Sequence, residues 1–165
     1  MKSIRKCLSV TLTAIAASCF IASAQVPRLN TGVGPAIAGS YNPNELPERV
    51  LDFLRDYYGS HYAQSCEKDY MTENYELTMT DGTEIEFDYQ GKVMEIDAPD
   101  HSAISKEAVK NILPGKVYKK LTELGVEDKV EKIDREKRGF DIEFTDGSSL
   151  HELFITSEGK LLAQK

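Results

Sequence analysis

The sequence contains no tryptophan, three histidines and three cysteines among its 165 residues. Without Trp, and with more Tyr than Phe, it offers few flat anchors for stacking a sugar ring or a base, which tells against lectin-like and single-strand-binding functions. Basic residues are in deficit, 20 Lys and Arg against 27 Asp and Glu, for a formal charge of −7. Nucleic acids and anionic membranes are bound by cationic neutralisation of phosphate, so neither is an expected partner. Beyond the N-terminus no apolar run approaches the length of about 20 residues that a membrane span needs.

What is present begins with a leader. Lys2, Arg5 and Lys6 precede an apolar run from Leu8 to Ile21 and the small residues Ala22-Ser23-Ala24. This order reads as a signal peptide over residues 1–24, cut after Ala24, and predicts a periplasmic or secreted protein. The alternative is a lipoprotein modified at Cys19, but the bulky apolar residue expected three positions before that cysteine is missing. Cleavage leaves 17 basic against 27 acidic groups, a formal charge of −10, and a single cysteine, Cys66. No intrachain disulfide can then form, so stability must come from packing. Cys66 reads as a small, semi-buried strand residue, with a reactive or intermolecular thiol as the alternative. Residues 25–44 carry Pro27, Gly32, Gly34, Pro35, Gly39 and Pro43 without apolar periodicity and read as a flexible tether.

The run from Asn74 to Asp97 organises the remainder. Tyr75, Leu77 and Met79, then Ile85, Phe87 and Tyr89, alternate with polar residues, the period of a sheet with one buried face. A two-residue loop at Asp81-Gly82 would put these two apolar rows on opposite faces. A three-residue loop of Thr80, Asp81 and Gly82 pairs Leu77 with Ile85 and Tyr75 with Phe87, and asks Gly82 for a left-handed backbone. Ahead of this meander, Leu46, Val50, Phe53, Leu54 and Tyr57 form a helical stripe starting at Pro47 and stopping near Gly59. A first strand is expected from Ala63 to Tyr70. After it all, Ser105 is placed to cap a helix over Lys106 to Ile112, and Pro114 to interrupt it before a further helix through Val117, Leu121 and Leu124 to Gly125.

The second half repeats the first. Leu46-Pro47 matches Leu113-Pro114, Val50 matches Val117, Leu54 matches Leu121, and Thr80-Asp81-Gly82-Thr83 matches Thr145-Asp146-Gly147-Ser148. Residues 45–165 are thus expected to be a tandem duplication of a helix plus antiparallel β-meander unit, with repeats at about 45–97 and 105–165. The fold class is α+β, the helices packed on one face of the sheet. In the second hairpin the same three-residue loop pairs Ile142 with Leu150, which leaves Leu153 and Ile155 on the wrong parity. A β-bulge near His151-Glu152 is expected to repair this, and Gly147 to share the positive φ of Gly82.

The two Leu-Pro helix starts, the strand Tyr75-Glu76-Leu77, the run from Asp81 to Asp88 and the following Gln90-Gly91-Lys92 resemble the PepSY-like, β-lactamase-inhibitor-like family of exported proteins common among Bacteroides relatives. The resemblance covers roughly Glu45 to Lys165. It implies the duplicated helix-and-meander fold, export, and a non-enzymatic binding role toward another protein, and brings no catalytic residues with it. The second copy departs from the family pattern at Ile155-Thr156-Ser157-Glu158.

Chemistry is sparse. Ser65 and Lys68 have Ser-x-x-Lys spacing, but on a strand residues three apart point oppositely, so they cannot act as an acylation pair. His61, His101 and His151 fall in separate elements without metal-ligand spacing. Tyr57, Tyr58, His61 and Tyr62 could form an interaction patch or cap a small core with their hydroxyls in water. No cofactor is implied and no metal site is assigned, although Glu84, Glu86 and Asp88, about 7 Å apart on one strand face, would permit weak Ca²⁺ binding.

If helices cover the apolar rows, the open face carries Glu76, Glu84, Glu86 and Asp88 from the first copy and Asp141 and Glu143 from the second. Such a face suits a basic envelope or secreted protein, whereas its plain reading is a solvated, screened surface. The sequence therefore describes an exported, monomeric, non-enzymatic binding module, an inhibitor or partner of another envelope protein. The alternative is a small secreted hydrolase with an unrecognised site. Intact mass of the exported protein is expected to place its N-terminus at Gln25; a lipid-modified Cys19 there would overturn the leader assignment.

Overall fold

The computed structural model describes Asn42, residues 45–59, His61 and residues 63–164. The leader and its cleavage site, Cys7, Cys19, Tyr62 and nearly all of the tether lie outside the described residues. The elements run α1 (Glu48–Tyr58), β1 (Ala63–Lys68), β2 (Tyr75–Met79), β3 (Glu84–Phe87), β4 (Val93–Asp97), α2 (Lys106–Ile112), α3 (Gly115–Leu124), β5 (Val130–Glu136), β6 (Gly139–Asp146), β7 (Ser149–Thr156) and β8 (Leu161–Gln164).

Each helix starts where its sequence dictates. Pro47 and Pro114 occupy the N-cap positions of α1 and α3, where a missing N–H costs nothing. The Ser105 hydroxyl accepts the Ala108 N–H at 3.3 Å to cap α2. Leu113, just before Pro114, takes an extended backbone, which separates α2 from α3. α3 ends at Gly125 in the left-handed region, and the Gly125 N–H returns to the Leu121 and Thr122 carbonyls.

All eight strands form one antiparallel sheet in chain order, β1 to β8. Its inward rows meet the helical stripes in a single core that holds Val50 and Leu54 of α1, Val117 and Leu121 of α3, and Leu77, Ile85, Phe87, Ile96, Ile133, Ile142, Leu153 and Ile155 of the sheet. The Phe53 ring meets Phe87 edge-on at 5.6 Å, fastening α1 to β3.

The first hairpin has the expected geometry. Tyr75 pairs with Phe87 and Leu77 with Ile85, the Met79 N–H donates to the Thr83 carbonyl, and the loop is Thr80, Asp81 and Gly82 with φ +91° at the glycine. The second hairpin departs from expectation. Its loop has two residues, Gly147 and Ser148, so Ile142 pairs with Leu153 and Phe140 with Ile155, and no bulge occurs at His151-Glu152. Gly147 keeps a positive φ, +69°, at the first loop position, where a tight two-residue turn takes glycine. Burial decides the register: Leu153 and Ile155 are fully enclosed, whereas Leu150 is 60% exposed at the projecting hairpin tip. The register shift of β7 lies instead against β8, between Phe154 and Ile155, mirroring one between Glu86 and Phe87 against β4.

The two halves match beyond their sequences. In the β3–β4 turn the Asp88 N–H donates to the Lys92 carbonyl and the Gly91 N–H to Asp88; in the β7–β8 turn Thr156, Gly159 and Lys160 repeat both bonds. Gly91 and Gly159 have φ of +76° and +84°, and each sits on the first turn of its own helix. A Cβ at Gly91 would lie 3.1 Å from Val50 Cγ2, and one at Gly159 2.7 Å from the Lys116 carbonyl oxygen. Gly91→Val is therefore expected to cost more than about 1 kcal/mol through left-handed strain and displacement of α1. An unchanged denaturation midpoint would show that this contact does not position the helix.

Candidate functional site

The strand registers place one row of acidic residues across the open face. Glu67 pairs with Glu76, Glu76 with Glu86, Glu86 with Glu95, Glu95 with Asp134, and Asp134 with Asp141. Directly paired residues share a side, and Leu77, Ile96, Ile133 and Ile142 beside them point into the core, so all six carboxylates look outward. At about 4.8 Å per strand the row extends roughly 24 Å. The adjacent row runs Ser65, Thr78, Glu84, Asp97, Lys132, Glu143 and Glu152. Lys132 is the one base in the two rows; it pairs with Glu95 and lies 3.1 Å from Asp97 Oδ2.

Of the six residues expected on this face, Glu76, Glu84, Glu86, Asp141 and Glu143 occupy it. Asp88 does not share their row. It lies past the end of β3, and its Oδ1 accepts the Gln90 and Lys92 N–H groups at 2.9 Å each, which commits it to the turn, as Thr156 is in the second half. Sequence reading missed Glu67, Glu95, Asp97, Asp134, Lys132 and Glu152. Around Ile96 and Ile133 the flanking residues Glu95, Asp97, Lys132 and Asp134 point outward, but a register shift on the N-terminal side of each isoleucine breaks the alternation of the longer runs, and the sequence does not show that β4 pairs with β5.

Over β1 to β4 the face is concave, a trough of about 330 Å³ walled by Glu67, Glu76, Glu84, Glu86, Glu95 and Asp97. Asn74 Nδ2 donates to Glu86 Oε1 at 2.6 Å. Partial burial, then Glu86 and Glu67, raise the Glu76 carboxyl above its ordinary value; partial burial and Glu95 do the same to Asp134. The hydrogen bond to Glu95 in turn holds Lys132 above the usual lysine range.

The other candidates are dispersed. Ser65 pairs with Thr78 on the open face, whereas Lys68 pairs with buried Tyr75 and lies over its ring at 5.1 Å. His61 Nδ1 is 3.6 Å from Asp81 Oδ2, His101 is exposed in a left-handed turn, and His151 stacks on Phe144 at 5.2 Å. Tyr58 is buried beside Phe53, and Tyr57 packs against the core. Cys66 is buried opposite Leu77, and burial pushes its thiol up to about 11, away from thiolate reactivity. Among the described residues no group of three or more His, Cys, Asp or Glu is arranged to hold a metal ion, and no helix is long and apolar enough to cross a membrane.

A carboxyl raised on folding destabilises the native state above its folded pKa and ceases to do so as pH falls through that range. Glu76→Gln is therefore expected to stabilise at neutral pH, by about 0.2–1 kcal/mol for each opposed pair relieved. The gain should vanish as the carboxylates protonate. Denaturation midpoints of both proteins from neutral to acidic pH check this; a variant no more stable at pH 7 would deny the repulsion.

Solved structures from Bacteroides species share this fold, three of them with TM-scores near 0.6. A putative periplasmic protein of unknown function from Bacteroides vulgatus is 21% identical, covering 76% of this chain and 96% of its own, with a TM-score of 0.58. A putative calcium-regulated periplasmic protein from Bacteroides thetaiotaomicron is 22% identical, covering 77% and 95%, with a TM-score of 0.59. A second putative periplasmic protein from Bacteroides vulgatus, 19% identical, covers 76% and 94% with a TM-score of 0.61. No curated protein matches the sequence. The family model described as "Putative beta-lactamase-inhibitor-like, PepSY-like" matches twice, over residues 40–95 and 73–163, in keeping with the duplicated architecture, and the chain belongs to that family.

Proposed function

We propose that this chain is an exported, non-enzymatic binding module that presents the open face of its sheet to a basic surface of another envelope protein, as an inhibitor or accompanying partner. The observation that carries the reading is the uninterrupted row of six carboxylates from β1 to β6 beside a trough in the sheet. Opposed like charges destabilise a free sheet, so a face that keeps them suits a ligand that supplies the missing cations. The inhibitor-like family description and the periplasmic neighbours agree with an extracytoplasmic binding role. A hydrolase would need a nucleophile and a base within hydrogen-bond reach, and the Ser65 and Lys68 pair is divided between the two faces.

The test is capture from envelope extract on immobilised wild type and on a Glu76→Gln, Glu86→Gln, Glu95→Gln triple variant. Wild type is expected to retain a basic protein at about 0.01 M salt, where the Debye length is about 30 Å, and to release it near 1 M, where it is about 3 Å. The triple variant should fail at both. Equal retention by the variant would remove the face as the site. A melting temperature raised by millimolar Ca²⁺ in wild type but not in the variant would favour an ion ligand over a protein one.

A further inference from the structure

A cleft lies on the helical side. One face of α1 from Arg49 to Tyr57, the β3–β4 turn and the junction of α2 with α3 enclose its volume of about 530 Å³. Arg135 of β5 lines it, half buried. Its guanidinium lies over the Phe140 ring, 4.6 Å from the centroid. Nε donates to the Val93 carbonyl at 3.2 Å and Nη2 to the Ile112 carbonyl at the end of α2 at 3.0 Å. Stacking and two backbone acceptors fix the plane of the group, while Nη1 has no acceptor among the described residues.

Arg49 and Lys92 line the same cleft. In a chain with 27 acidic residues, none of these three cations has a carboxylate within 4.0 Å among the described residues. The acids nearby are otherwise engaged. Asp52 and Asp56 both hold Arg55, at 2.8 and 3.4 Å, and Asp88 accepts two backbone N–H groups. Burial lowers the Arg135 pKa, Asp88 opposes that, and the charge of Arg49 adds to it. Two guanidiniums that line one cleft, one with a fork edge unused, are donors suited to an anion.

We propose that this cleft binds a small monocarboxylate with an apolar body, its oxygens meeting Arg135 and Arg49 and its apolar part lying against Phe53, Tyr57 and Leu113. Asp52 and Asp56 at the cleft disfavour a second negative charge, which selects carboxylate over phosphate dianion. A free apolar acid and the C-terminal residue of a peptide share this chemistry. The site is independent of the open face of the sheet and of any partner there.

The test is a titration of the isotopically labelled protein, followed by backbone amide signals. The probes are N-acetylphenylalanine, its C-terminal amide, an acetylated tripeptide ending in phenylalanine, and inorganic phosphate. The acid is expected to shift the Gly91, Lys92, Asn111 and Ile112 amides, and the amide probe to leave them unmoved. Arg49→Gln, an exposed change that should leave the melting temperature alone, is expected to weaken binding about tenfold or more, as loss of a charge-assisted bond does. Tighter binding of the tripeptide than of the acid identifies a peptide terminus as the ligand; the reverse order identifies a free acid. Equal shifts from acid and amide, shifts from phosphate alone, or no shift from either carboxylate overturns the proposal.

Discussion

The pairing of β4 with β5 is the contact on which the rest of the molecule depends. Only three residue pairs make it, Glu95 with Asp134, Ile96 with Ile133 and Asp97 with Lys132, yet through it two four-stranded meanders become one sheet. On the inner face Ile96 and Ile133 are fully enclosed, so each half completes a core that a unit of its size would leave open. On the outer face the same register sets Glu95 against Asp134, and Lys132, reaching both Glu95 and Asp97, offsets the repulsion at the seam.

The two sides of the molecule carry different arrangements of charge. The sheet's outer face gathers carboxylates, of which Glu76 and Asp134 are held above their ordinary values by partial burial and acidic neighbours, whereas on the helical side Arg135, Arg49 and Lys92 line a cleft together with Asp52 and Asp56. Arg135 also ties three parts of the fold together, by bonding to Val93 of β4 and Ile112 of α2 and lying over Phe140 of β6. Its role in the structure and its unused fork edge have one cause: backbone carbonyls, rather than a carboxylate, hold it in place. A protein organised in this way has two chemically distinct surfaces on one scaffold.

Much of the fold is readable because local physics sets it. Proline and serine mark the helix starts, and alternation fixes which residues of Tyr75 to Phe87 face inward, so the register of the first hairpin follows from loop parity alone. The second hairpin resisted the same treatment. Its turn sequence resembles the first, but Thr145, Leu150 and the residues between them project past the core, so the copied loop predicts the wrong partners. Asp88 was misread for a related reason, since alternation continues through it in sequence although the strand ends at Phe87 and the turn claims its carboxylate.

The sequence by itself determined the duplicated helix-and-meander plan, the inward rows apart from Tyr89, which is exposed beyond the end of β3, the caps of α2 and α3, and five of the six acidic residues expected on the open face. These depend on contacts within a hairpin or a helical turn, where spacing along the chain dictates spacing in space. Only the tertiary structure decided that the two meanders join edge to edge, which carries the carboxylate row through Glu95 and Asp134, and that Arg135 meets Arg49 across a cleft. Arg49 and Arg135 belong to different repeats, and no periodicity of either element encodes their meeting. It arises because one core must be closed by both sets of helices, and that closure brings the end of α2 and the start of α1 to the same edge of β4 and β5.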